Sequence, residues 1–319
     1  MKQHQFTWQK LGRIFHPNGQ FPWMQSHAQN PCTLLCEDKI RIYFTCRPKP
    51  DDRGNFISVT TFVDVSREDP TSVIYVHDKP ILESGELGSF DQFGIMPGAV
   101  LPVGDEVWLY YVGWSRCVGV PYNHAIGLAI SKDGGKTFSR YSKGPIITRT
   151  SSEPFLQNSP YVTIIDKTFH MWYSSGLKWI VHDNRPESIY VIMHATSTDG
   201  ISWQRQATPC IPYNSDEECQ TNPCVVFVNG LYHMWFCHRH GLDFRNSERG
   251  YRIGYASSND LLNWERNDAI GNFDVSSEGW DSEMVCYPNV NLIDGKLCMF
   301  YSGNGFGREG FGLAILQES

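Results

Sequence analysis

The chain has 319 residues, 41% of them hydrophobic and 19% charged, with a formal net charge of -7. That is the composition of a globular protein, and an acidic balance without blocks of like charge argues against nucleic-acid or anionic-membrane partners while allowing basic pockets around individual arginines. By length alone two domains of roughly 150 residues would fit, but large all-β folds reach this size as one unit.

The first residues, Met1-Lys2-Gln3-His4-Gln5-Phe6, hold no apolar stretch long enough for a signal peptide. No uncharged apolar run of about 18 residues follows, so a cytoplasmic location with no membrane partner is expected. The segment Phe6-Thr7-Trp8-Gln9-Lys10-Leu11 reads like the outer strand of a repeat unit, while the last strand, Phe311-Gly312-Leu313-Ala314-Ile315, has no fourth partner downstream. Pro31-Cys32-Thr33-Leu34 then opens a strand that turns through Glu37-Asp38 into the more aromatic Ile40-Arg41-Ile42-Tyr43-Phe44. The unit recurs at Pro97-Gly98-Ala99-Val100, Pro160-Tyr161-Val162-Thr163, Pro223-Cys224-Val225-Val226 and Pro288-Asn289-Val290-Asn291, at spacings of 66, 63, 63 and 65 residues. Its turns include Asn229-Gly230 and Asp294-Gly295, strong hairpin signals between alternating strands.

A third strand follows in each unit, for example Ala125-Ile126-Gly127-Leu128-Ala129, and behind it comes Ser131-Lys132-Asp133-Gly134, Ser197-Thr198-Asp199-Gly200 or Ser258-Asn259-Asp260 with an aromatic at Phe138, Trp203 or Trp264. This turn resembles the Asp box of sialidase-like propellers, where its role is structural. Five units of four antiparallel strands predict an all-β, five-bladed β-propeller over residues 1–319 as one domain, with blades starting near 31, 97, 160, 223 and 288. The 31 residues after Pro288 and the 30 before Pro31 make up nearly one repeat, so the N-terminal strand is expected to close the ring in blade five. No helix longer than about two turns is expected. The ten cysteines form no CxxC pair and most lie in apolar strands, so buried reduced thiols are expected. Cys237, His238 and His240 fit no structural zinc spacing, and neither a metal nor a cofactor is expected.

With the strands of a blade named A to D from the axis outward, the A–B and C–D turns fall on one face. The B–C loops and D–A crossovers share the other, where propellers bind ligands. The crossovers of blades two to five carry acids five to seven residues before the blade's Pro: Asp91, Glu153, Glu217 and Glu218, then Asp281 and Glu283. The B–C loops begin with Arg47, Trp114, Trp179, Arg239 and Asn304. Carboxylates, aromatic platforms and arginines around one funnel fit a sugar-processing site. Each also has a plainer reading, the acids as solvated or turn-capping groups, the tryptophans as inter-blade packing and the arginines as partners of the acids.

Through Tyr110-Tyr111-Val112-Gly113-Trp114, Gly127-Leu128-Ala129-Ile130-Ser131-Lys132-Asp133-Gly134, Met171-Trp172-Tyr173 and Gly279-Trp280-Asp281-Ser282-Glu283-Met284, the chain resembles the five-bladed superfamily of glycoside hydrolase families 43, 32 and 130. The resemblance implies a carbohydrate-active enzyme acting on an oligosaccharide or glycoside. Families 43 and 32 hold a base or nucleophile, an orienting Asp and an acid Glu one or two residues before the inner-strand starts. Here those positions read Asn30, Met96, Asn158-Ser159, Thr221-Asn222 and Cys286-Tyr287, without a carboxylate. The catalytic expectation therefore falls on the loop acids, with Glu283 and Glu153 as acid and base of an inverting hydrolase and Asp91 orienting. Arg47, Trp114, Trp179, Glu218, Arg239, Asp281 and Asn304 are the expected substrate contacts. Phosphorolysis or glycosyl transfer, with arginines holding phosphate, is the variant within the enzyme class. A non-catalytic glycan-binding propeller is the alternative that the missing strand-start carboxylates raise.

Overall fold

The computed structural model of the protein describes residues 5–245 and 248–317. The chain opens with β1 (Trp8–Phe15). Blade one is β2 (Ser26–Leu35), β3 (Lys39–Arg47), β4 (Val59–Ser66) and β5 (Val73–Val76); blade two is β6 (Ile95–Val103), β7 (Glu106–Arg116), β8 (Tyr122–Ser131) and β9 (Ser139–Arg140). Blade three is β10 (Gln157–Ile165), β11 (Thr168–His182), β12 (Arg185–Ser197) and β13 (Gln204–Arg205); blade four is β14 (Glu218–Val228), β15 (Leu231–His240), β16 (Arg252–Ser258) and β17 (Glu265–Arg266). Blade five is β18 (Cys286–Ile293), β19 (Lys296–Ser302) and β20 (Phe311–Leu316), completed by β1, which pairs antiparallel with β20 from Trp8↔Leu316 to Phe15↔Phe311. The ring thus closes through the N-terminal strand. The described helices are two four-residue segments, α1 (Asp268–Gly271) and α2 (Asn304–Gly307). None is long and apolar enough to cross a membrane.

Each second strand carries two adjacent buried aromatics: Tyr43-Phe44, Tyr110-Tyr111, Trp172-Tyr173, Trp235-Phe236 and Phe300-Tyr301. Alternation along a strand sends the two to opposite faces of the blade. The first of each pair meets the second of the next blade, Tyr43 with Tyr111, Tyr110 with Tyr173, Trp172 with Phe236, Trp235 with Tyr301 and Phe300 with Phe44. This cyclic pairing makes the ring's five inter-blade cores.

The Asp boxes fasten these cores. Asp199 accepts hydrogen bonds from Ser197 Oγ and from the backbone N–H groups of Ile201 and Ser202, which hold its carboxyl down at about 2. The turn it fixes presents the Gly200 carbonyl to Tyr110 Oη of the preceding blade at 2.9 Å, and Gly135 accepts from Tyr43 Oη in the same way at 2.6 Å. Asp199→Ala is expected to destabilise the protein by about 1–2 kcal/mol through the released N–H groups, read as a lower urea midpoint at unchanged slope.

The inner strands hold the site. Every one carries a register shift at its Pro, and in four of five blades the residue before the Pro has positive φ: Asn30 at 53°, Ser159 at 49°, Asn222 at 48° and Tyr287 at 58°. The bulge bends each strand at the axis, and proline removes a donor from this innermost edge. In blade two the shift falls between Pro97 and Ala99, where Gly98 is required because a Cβ there would lie 2.5 Å from the Pro160 carbonyl oxygen. The five prolines converge around an axial void of only about 20 Å³, little more than one water. They form a floor.

Candidate functional site: a cationic axial cup

Above that floor opens a cavity of about 460 Å³. Asn30, Met96, Ser159, Asn222 and Tyr287, the residues before the inner-strand bends, line its base. Arg47, Trp114 and Arg239, at or near the ends of the second strands, line its wall, as do Tyr122 and His124 at the start of β8, Tyr190 within β12 and Tyr251 just before β16. Among the described lining residues are five arginines, Arg47, Arg116, Arg185, Arg239 and Arg245, and no Asp or Glu. A chain of net charge -7 thus presents a cationic cup.

Three of the arginines are neutralised from behind. Arg185 and Arg245 share Glu187, at 3.4 and 2.6 Å, and Arg116 stands 3.7 Å from Asp51. Arg47 and Arg239 have no carboxylate partner among the described residues. Arg239 is 3% exposed, lies 3.5 Å over the Phe244 ring and donates to Tyr190 Oη at 2.9 Å and to the His240 carbonyl at 2.8 Å. Arg47 donates to Gln29 Oε1 at 3.1 Å, and burial holds its guanidinium below the ordinary arginine range.

The remaining wall groups are neutral. Burial pulls His124 down to about 4, so it is uncharged at neutral pH, with its ring stacked 4.6 Å from Tyr122. Burial likewise raises the Tyr190 and Tyr251 phenols, whose oxygens share a hydrogen bond of 2.5 Å. Three buried polar atoms of the lining have no partner: Asn30 Oδ1, Arg47 Nε and Trp114 Nε1.

The expected site residues separate into four places. Arg47, Trp114 and Arg239 meet in the cup. Glu283 and Asn304 lie instead on an open depression of blade five with Arg13, Trp280 and Arg308, where Asn304 Oδ1 accepts from the Glu283 and Met284 backbone N–H groups. Trp179 stands on the extended β11–β12 hairpin, edge-on behind Tyr122 at 5.3 Å, in the packing role. Asp91, Glu153, Glu218 and Asp281 are buried and line no part of the cup.

Those four acids repeat one arrangement. Asp91 accepts from Tyr111 Oη and pairs with Arg140 at 2.7 Å; Glu153 accepts from Tyr173 Oη and pairs with Arg205 at 3.3 Å; Asp281 accepts from Tyr301 Oη and pairs with Lys10 at 2.8 Å. In blade four Phe236 replaces the tyrosine, and Glu218 pairs with Arg266 at 2.7 Å while accepting from the Asn214 N–H. Each acid staples the chain entering a blade to that blade's outermost strand. The catalytic expectation had placed Asp91 and Glu153 at a mouth that their hydrogen-bond partners turn them away from.

The third-strand residues Tyr122, His124, Tyr190 and Tyr251 escaped the sequence analysis. The topology that brings the ends of the second strands to the mouth brings the third strands' residues beside them as well.

All ten cysteines are unpaired, and Cys117 alone among them is exposed. Cys237 Sγ accepts from the Tyr287 N–H at 2.8 Å, while His238 turns toward Glu218 and Asp268. His182, Asp183 and Asp243 come together at the tip of the long hairpin, where Arg249 already pairs with Asp243.

No family model matches the chain. The uncharacterised proteins MT1551 and Rv1502 of Mycobacterium tuberculosis are each 38% identical to it over 314 residues, covering 98% of this chain and 100% of theirs. Among solved structures, a glycoside hydrolase superimposes with a TM-score of 0.74 at 16% identity, covering 99% of this chain and 93% of its own. A thermostable family-43 glycoside hydrolase gives 0.66 at 15% identity, covering 94% and 92%. A structure from the family-130 mannoside phosphorylases, a family described as containing hydrolases that target β-1,2 mannosidic linkages, gives 0.73 at 14% identity, covering 99% and 95%. The likeness to these three is one of fold.

Proposed function

This chain belongs to the family of the mycobacterial proteins MT1551 and Rv1502, and we propose that it is a saccharide-binding propeller whose axial cup receives a glycan without a carboxylate pair to cleave it. One observation carries the reading: the five strand-start positions around the base of the cup hold Asn30, Met96, Ser159, Asn222 and Tyr287. Glycoside hydrolysis needs a protonated carboxylic acid at the leaving oxygen and a second carboxylate on the anomeric side. The described lining residues offer neither; their polar groups are phenols, hydroxyls, amides, an indole N–H, a neutral imidazole and guanidinium groups that stay charged. What the cup does offer suits a sugar ring: Trp114 and Phe306 as aromatic lining beside convergent donors, in a volume of the size small-molecule sites have.

Equilibrium binding of an oligosaccharide panel by saturation-transfer NMR tests this. Trp114→Ala is expected to weaken the bound glycan at least tenfold, whereas Glu153→Gln and Glu283→Gln bind as the parent does. Thermal melts accompany the series, because Glu153 is a staple. Turnover by the parent that Glu283→Gln or Glu153→Gln abolishes, in a folded protein, would overturn the reading and return the loop carboxylates to catalysis.

A further inference from the structure

We propose that the saccharide in the axial cup carries an anionic group, a carboxylate or a phosphate, seated between Arg47 and Arg239. The inference rests on the cup being a saccharide site and adds the chemical class of its ligand. A guanidinium taken out of water is costly unless it is paired, and buried arginines ordinarily face a carboxylate. The buried Arg41 and Arg266 do so, with Asp64 at 2.8 Å and Glu218 at 2.7 Å, and among the arginines of the cup the more exposed Arg116, Arg185 and Arg245 have carboxylate partners. Arg47 and Arg239 do not, though Arg239 is almost wholly buried and Arg47 lies deep enough for burial to disfavour its charge.

The two are joined by tyrosines rather than by acids. Arg239 donates to Tyr190 Oη, Tyr190 shares its hydroxyl hydrogen bond with Tyr251, and the Tyr251 ring lies 5.7 Å from that of Tyr287, which is within electrostatic reach of Arg47. With the phenols held protonated, this run supplies hydroxyl donors and no negative charge. Arg47 Nε and Trp114 Nε1 remain buried donors without acceptors. Around one cup, Arg239 has only neutral acceptors, Tyr190 Oη and the Ser188, His240 and Gly241 carbonyls, and Arg47 Nε and Trp114 Nε1 have none, so two guanidiniums share the want of an anion.

The cup is also far larger than one inorganic anion, and its walls are aromatic, so the anion is expected to arrive on a sugar. The floor of prolines closes the axis beneath it, which limits the site to a small saccharide or the end of a longer one. The net charge of -7 disfavours long polyanions at a distance.

Isothermal titration of matched probe pairs tests the proposal. Oligouronides against their neutral methyl esters form the carboxylate arm, a hexose phosphate against the free hexose forms the phosphate arm, and inorganic phosphate is run alone. The anionic member of one pair is expected to bind at least tenfold tighter than its neutral partner. Arg47→Gln should erase that preference, and Arg239→Lys, which keeps the buried charge, should reduce it less. Which pair responds identifies the anion. Equal binding of charged and neutral partners overturns the anion inference and leaves the saccharide site standing; inorganic phosphate binding as tightly as hexose phosphate overturns it in favour of a bare anion site. No binding of any saccharide, charged or neutral, overturns both readings.

Discussion

Arg266→Met is expected to lower the unfolding free energy by about 4 kcal/mol, within the range for removing one partner of a buried pair. Arg266 and Glu218 are 6% and 7% exposed in their side chains, and Arg266 also holds Asp268 at 2.7 Å. Removing the cation strands two carboxylates, one of them deep in the blade. Glu218→Gln should cost less, about 3 kcal/mol, since Asp268 still neutralises the arginine. The double variant should lose less than the sum of the two, by a coupling of about 1–3 kcal/mol. The exposed pair Lys143–Glu86, with side chains 88% and 78% exposed, is the control and should contribute nothing measurable. Urea denaturation of the parent, the two single variants, the double variant and the control variants reads all of this. Additive losses at Glu218 and Arg266 would mean that the staple does not hold the blade together.

The second large effect lies in acid. Burial pulls His27 down to about 3 and His124 and His194 to about 4. An unfolded histidine takes up its proton near pH 6.5, whereas these stay neutral until well below it. The unfolded state therefore binds more protons in that window, so the stabilising contribution is complete above about pH 6.5 and is lost as pH falls toward 4. For His194, fully buried and stacked 4.8 Å from Trp172, the loss by pH 4 is about 3 kcal/mol. His194→Phe keeps the stack and removes the proton site. Its unfolding free energy should fall less steeply with acid than the parent's, by about one proton's worth of slope between pH 6 and 4. Parallel curves for the two proteins would show that His194 does not titrate out of the core.

The fold was legible because its signals repeat. Five X-Pro strand starts, five hairpin turns and three Asp boxes with trailing aromatics are local chemistry that backbone geometry dictates, and a ring follows from counting them. The staples left a signal too. Phe138-Ser139-Arg140, Trp203-Gln204-Arg205, Trp264-Glu265-Arg266 and Trp8-Gln9-Lys10 all place a cation two residues after the aromatic of an outer strand, one for each crossover acid that the structure finds paired. Reading acids and cations as one periodic set would have assigned Asp91, Glu153, Glu218 and Asp281 to structure from the sequence. Blade one confirms the pairing by omission, since its crossover, residues 16–25, carries no acid.

The cup was harder to read. Whether Asn30 or Tyr287 faces the axis depends on a bulge with positive φ at that residue, a long-range consequence of packing five strands around a point. The pairing of Glu187 with Arg245 depends on where the chain after β15 places that arginine, which no local pattern specifies. Consequently Arg47, Trp114 and Arg239 could be placed at the mouth by topology, but the fact that two of these arginines have no acid facing them is visible only in three dimensions.

The central claim is that the cup binds a glycan and does not hydrolyse it. Proton NMR of the protein with neutral and acidic oligosaccharides and aryl glycosides, each with and without phosphate, tests it most directly. The expected result is selective broadening of the resonances of a bound saccharide, with no free sugar and no sugar phosphate formed over the course of the experiment. Release of a reducing sugar or a sugar phosphate, lost on Glu283→Gln or Glu153→Gln, would contradict it.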